Sequence, residues 1–185
     1  MSLGRLSLVA SILVLPLFCA FADPIKIGSV KTPLYRTEPQ RLFVLADFGS
    51  QFGPEFGESF QREFLSNAKD CDLEADVSLK TPLDLDEDAH LVKLRAFKPD
   101  TVMLINRHGG QVDRNGRQLS MVYSVKLIEV KSGNTTWEAI VDFPRDSTSI
   151  PIAQRGRSLA IELANDMKKS QLLLSCKTPI RQPGG

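Results

Sequence analysis

The sequence predicts a single α/β domain, a mixed β-sheet of about five strands covered by three helices. Three observations lead there. Leu42–Ala46 and Thr101–Ile105 are short apolar runs, the signature of strands inside a sheet. Phe56, Phe60 and Phe64 recur every fourth residue, the spacing of a helix face. Leu119–Leu127 and Trp137–Phe143 alternate apolar and polar residues around a glycine-bearing turn, which reads as a hairpin. Strands and helices that alternate in this way build a layered domain around one core.

Residues 1–22 read as a secretory signal peptide rather than as part of the fold. Arg5 precedes the apolar run Leu6–Phe18, and Ala20-Phe21-Ala22 places small residues before a cleavage point between Ala22 and Asp23. Cleavage there removes Arg5 and Cys19, and the 23 basic residues fall to 22, equal to the 22 acidic ones. Cys71 and Cys176 remain, an even count in an exported chain, which predicts a disulfide. The chain is therefore expected to be periplasmic or secreted, with no transmembrane segment once the signal is removed.

Residues 23–40, interrupted by Pro24, Pro33 and Pro39, form an extended lead-in with a possible short strand at Ile25–Val30. The domain proper covers 41–176. After the strand Leu42–Ala46, a helix should start at Pro54, where a missing N–H costs nothing. Glu55 and Glu58 suit its positive end. Burial of each phenylalanine in its stripe is worth about 1.5–3 kcal/mol. Leu73, Ala75, Val77 and Leu79 alternate with polar residues in a half-exposed strand near a sheet edge. A helix near Asp86 carries Ala89, Val92 and Ala96 on one face and stops at Pro99. After Thr101–Ile105, the loop Arg107–Arg117 leads into the hairpin. The last helix begins near Pro151, with Leu159, Leu163 and Met167 on its apolar face and Lys168 and Lys169 at its negative end. Residues 177–185 read as a disordered tail.

The segments Lys98–Ile105 and Tyr123–Trp137, the latter with its Val-Lys-Ser-Gly-Asn-Thr-Thr-Trp hairpin, resemble a group of bacterial envelope domains with an anticodon-binding-like α/β fold. That group includes the N-terminal domain of the Tol translocation protein, the curli-secretion lipoprotein and the lipoprotein activator of a penicillin-binding protein. The resemblance implies a non-enzymatic protein working through a protein partner in the cell envelope, and it implies no catalytic residues.

Composition excludes several classes. With 42% hydrophobic residues, 24% charged and a net charge of +1, the chain is neither disordered nor a nucleic-acid binder acting through bulk charge. His90 and His108 are its only histidines, so a multi-histidine metal site is impossible. No cofactor is called for. Asp47, Ser50 and His108 lie near strand ends but lack the Gly-x-Ser-x-Gly elbow of a hydrolytic triad. The loop Asp47–Gly53 leads to a helix start that offers N–H groups to an anion, without the lysine of a phosphate loop. Arg107, His108, Arg114 and Arg117 gather in one loop, and Arg155 and Arg157 open the last helix. The first four are the expected partner-binding residues of a module that binds another envelope protein. The alternative is a small-molecule, glycan or anion-binding protein, or a hydrolase, using the loops Asp47–Gly53 and Arg107–Arg117.

Overall fold

The computed structural model describes residues 25–33, 35, 37–81, 87–111, 113–115, 120–144 and 150–176. The expected signal peptide with its cleavage point at Ala22 and Asp23, and the tail from 177, lie outside them. The strands are β1 (Lys26–Lys31), β2 (Arg41–Asp47), β3 (Glu74–Lys80), β4 (Thr101–Gly109), β5 (Ser120–Glu129) and β6 (Thr135–Pro144). The helices are α1 (Pro54–Asp70), α2 (Glu87–Phe97) and α3 (Ile152–Lys169). They form a mixed α/β domain whose sheet has the order β1-β6-β5-β4-β2-β3. The sixth strand, beyond the expected five, is the lead-in strand β1.

β2 pairs parallel with β3 and with β4, and the remaining pairings are antiparallel. Each βαβ crossover puts its helix on a face of the sheet. α1 and α3 lie side by side over one face, and the core forms beneath them. Phe56, Phe60, Phe64 and Ala68 of α1 and Leu159, Ala160, Leu163 and Met167 of α3 are buried there against Leu42, Val44, Met103, Ile105, Tyr123, Val125, Leu127, Trp137, Ala139, Val141 and Phe143. Gly156 lets the helices meet, since a Cβ there would lie 2.2 Å from the Phe56 carbonyl oxygen. The Cys71–Cys176 disulfide joins the α1 C-terminus to the segment after α3, with the Cα atoms 3.7 Å apart. This is the expected bridge.

α2 corrects an expectation. Ala89, Val92 and Ala96 do share a face, but it is the solvent face, and Val92 is 62% exposed. The helix is held by other residues: buried His90 shares a 2.8 Å hydrogen bond with Ser78 Oγ, and Phe97 packs on Phe43, with centroids 6.0 Å apart. Arg41 fastens the end of α2. Its guanidinium donates to the carbonyls of Phe97 and Lys98, lies over the Phe97 ring and pairs with Glu74. A cation there satisfies the last carbonyls and suits the helix dipole. α2 covers only the β2–β3 end, so Val102, Leu104, Val122 and Ile128 on the same face of β4 and β5 are half-buried rather than buried. An apolar run in sequence does not distinguish those two outcomes.

Candidate functional site

The sequence-derived candidates gather where β2 and β4 end, beside the starts of α1 and α3. β2 finishes at Asp47, and the chain turns through Phe48 and Gly49. Asp47 Oδ1 accepts the Gly49 N–H at 2.9 Å, and the Ser50 carbonyl accepts the Gly53 N–H at 3.3 Å. Gly49 and Gly53 have φ of +72° and +69°, where a side chain is strained. The loop thus spends two of its N–H groups on its own turns.

Behind these turns aromatic rings pack together. Phe48 packs against Phe56, Phe60 and Tyr123 at centroid distances of 5.1, 4.9 and 5.7 Å. Phe52 stacks on Phe56 at 4.7 Å and meets Phe143 edge-on at 5.6 Å. Arg155 closes the cluster. Its guanidinium sits 5.0 Å from the centroids of both Phe52 and Phe143 and donates to the Pro144 carbonyl at 2.6 Å. Ring faces and a carbonyl engage this cation, which therefore secures the cluster rather than adding to a free basic patch. Arg157 is likewise engaged, by Glu63 at 3.4 Å.

Tyr123, buried under the cluster, donates a long 3.4 Å hydrogen bond to the Phe48 carbonyl. Burial pushes its phenol above the usual range. Arg155 and Arg107 pull the other way, and Asp47 adds to the rise. The group stays a neutral phenol that fills space and makes one bond.

Arg107 and His108 belong to β4 and not to a loop, which corrects the expected boundary of the Arg107–Arg117 loop. The strand runs on to Gly109 with a register shift between Arg107 and Gly109, so a bulge sits at His108. β4 alternates burial only from Thr101 to Ile105, and Asn106, Arg107, His108 and Gly109 are all exposed. Arg107 leans back toward β2, with Nη1 3.2 Å from where a Gly49 Cβ would be. Arg114 is exposed on a turn with Asn115, whose N–H donates to Asp113 Oδ1 at 2.8 Å. Arg117 lies outside the described residues. Among the described residues no hydrogen bond joins Asp47, Ser50 and His108, and Asp47 serves its own turn. No group of three or more His, Cys, Asp and Glu among those residues could hold a metal ion, and no helix among them is long and apolar enough to cross a membrane.

Sequence reasoning missed the role of Arg155. It follows the Phe52 and Phe143 segments by many residues, and a cation held between rings from a loop and a strand has no local signature. It also missed the exposed α2 face, because a three-residue apolar spacing does not say which side the sheet is on.

No protein-family model matches the chain, and no curated protein matches it in sequence. Among solved structures, the PelC dodecamer from Paraburkholderia phytofirmans has a TM-score of 0.49 at 13% identity, covering 83% of this chain and 99% of that one. A Xanthomonas campestris protein has a TM-score of 0.38 at 10% identity, covering 77% and 89%. A Neisseria meningitidis lipoprotein has 0.33 at 12% identity, covering 69% and 99%. Likenesses of this strength decide nothing about what this chain does.

Proposed function

We propose that this chain is an exported, non-enzymatic α/β module that binds another cell-envelope protein, working in the periplasm or outside the cell after removal of residues 1–22. The observation that carries the reading is the exposed end of β4. Arg107 and His108 continue the strand past the last buried position, Ile105, and Arg114 follows on the exposed turn. A rigid strand presents the Arg107 guanidinium and the His108 imidazole at one end of the sheet, where a loop would leave them to wander. The disulfide supports export, because such bridges persist in oxidising compartments. The order of strands and helices also supports kinship with the anticodon-binding-like envelope domains.

The test is cross-linking in intact envelopes, comparing the wild type with an Arg107→Ala, Arg114→Ala, Arg117→Ala triple variant. Exposed charges chiefly speed encounter and sharpen specificity. Partner recovery should fall in the triple variant, with its thermal melt unchanged, and the wild-type yield should drop as salt rises. Equal recovery from both proteins at low salt would reduce the β4 end to a solvated connector.

A further inference from the structure

The two edges of the sheet are finished differently. At β3, the Glu74 N–H bonds to Gln40 on the β2 side, so Val77 turns its backbone groups to the free edge. Both are used: the Val77 N–H donates to Asp76 Oδ1 at 2.8 Å, and its carbonyl accepts from Gln61 Nε2 at 3.1 Å. That edge is blunted at its centre by the chain's own side chains. Natural sheets use such devices against edge-to-edge pairing.

β1 has no such device. The Thr32 N–H donates to the Thr136 carbonyl at 2.9 Å, so the even-numbered residues bond to β6. The N–H and C=O groups of Ile27, Ser29 and Lys31 point outward, and none of the described residues bonds them. The side chains around this bare edge fit one another. On the face away from α3, Val30 is 74% exposed, nothing lies within 4 Å of a Cβ built on Gly28, and Ile140, paired with Gly28, is 47% exposed. On the α3 face, Ser29 touches Ser170, and Lys31 Nζ donates to the Gln171 carbonyl at 2.9 Å. Glu162, Asp166 and Ser170 follow at helical spacing along this side of α3. Asp166 Oδ2 is buried with no hydrogen-bond partner among the described residues.

We propose that β1 is a self-association edge, on which the β1 of a second copy pairs antiparallel about a two-fold axis at Ser29, joining the two six-stranded sheets. Outward-facing groups must meet outward-facing groups, so odd-numbered residues pair with odd. The axis at Ser29 is the register that engages all three. Ile27 then faces Lys31 of the second copy, and Gly28 faces its Val30. The exposed valine covers the bare glycine beside Ile140. The second copy's lysine enters on the α3 face, where Glu162 and Asp166 offer carboxylates that have no ion-pair partner among the described residues. An interface about a two-fold axis must be self-complementary, and each of these contacts is made twice.

The experiment is sedimentation equilibrium of the purified full chain over a wide concentration range, with melts to verify folding. The wild type should show a monomer–dimer equilibrium. Ser29→Pro removes an outward N–H without touching the β6 ladder, and should weaken the dimer at least about tenfold. Ser29→Ala, which loses only the Ser170 contact, should not. Lys31→Glu should also weaken it, and adding Asp166→Lys should restore it. A wild type that stays monomeric at its solubility limit overturns the proposal. So does a dimer indifferent to Ser29→Pro, or a Lys31→Glu defect that Asp166→Lys leaves in place. A monomer whose Ile27, Ser29 and Lys31 amides gain exchange protection only on binding another protein assigns the edge to a foreign strand, and equally overturns self-pairing.

Discussion

Gly156→Ala should destabilise the domain although it places a better helix former in a helix. In an unhindered helix the change gains about 1 kcal/mol. Here the new Cβ would lie 2.2 Å from the Phe56 carbonyl oxygen, 2.4 Å from Ser59 Oγ and 3.0 Å from the Phe56 carbonyl carbon. Two of these atoms are backbone of α1 and cannot rotate aside. Relief requires α1 and α3 to separate by roughly 1 Å, and a gap of that size forfeits a quarter to a half of each dispersion contact along the seam. The seam holds Phe56, Phe60, Ala160 and Leu163, all fully buried. Overpacking of this kind costs about 1–3 kcal/mol and occasionally more, which exceeds the propensity gain. Because the clash is with backbone, the cost lies toward the upper end, and a net loss of about 1–2 kcal/mol remains, which lowers the Tm by roughly 2–8 °C in a domain of this size. Gly57→Ala in α1 is the matched control. Its Cβ would meet the Leu79 side chain, the nearest atom a methyl at 3.0 Å, at the end of a flexible side chain. It should be neutral or mildly stabilising. Chemical denaturation and calorimetry of both variants decide the matter. A Gly156→Ala protein as stable as the wild type would refute the close helix contact and the reasoning built on it.

Four other outcomes are expected. Replacing Cys71 and Cys176 by serine opens a bridge between residues 105 apart in sequence, and should cost up to about 4–5 kcal/mol in denaturant unfolding, matched by reduction of the wild type. Burial, and next to it Asp166, raise the Glu162 carboxyl above its ordinary 4.5, so the folded state holds the proton more tightly than the unfolded. Stability should therefore fall as pH rises through the interval just above 4.5, and Glu162→Gln should flatten that fall in melts at a series of pH values. Burial raises both tyrosines, Tyr35 and Tyr123, above 10.0, so tyrosinate absorbance should lag behind free tyrosine and grow in step with loss of helical circular dichroism in alkali. Arg155→Lys should lower the melt almost as far as Arg155→Ala, because an ammonium cannot lie flat between Phe52 and Phe143; equal stability of Arg155→Lys and wild type would contradict that role.

Much of the fold was legible in the residues because its signals are local. The α1 start at Pro54, the Phe56–Phe60–Phe64 stripe and the α3 face at Leu159, Leu163 and Met167 each follow from periodicity and end chemistry within one segment. The β5–β6 hairpin follows from alternation around Gly133, whose φ of +70° is the turn conformation glycine supplies. The position of β3 at a sheet edge agrees with the expectation, but the alternation read as a half-exposed strand does not hold, because α2 covers its polar face and buries Ser78 against His90. The disulfide was legible from count and compartment, since two cysteines leave one pairing.

Side choices and long-range contacts were decided only in the tertiary structure. α2 could have buried Ala89, Val92 and Ala96, yet it buries His90 and packs Phe97, because Ser78 and Phe43 supply the matching bond and ring on the sheet. The basic residues divided in the same way. Arg107, His108 and Arg114 stayed exposed, while Arg155 was taken up by rings from Phe52 and Phe143, which only the packing of α1, α3 and β6 brings to one place. The unequal edges belong to this class as well. A strand's sequence states which side chains alternate, but which backbone groups find partners depends on the neighbour the strand acquires. β1 and β3 each acquired one neighbour, and only β3 was given Gln61 from the helix beside it.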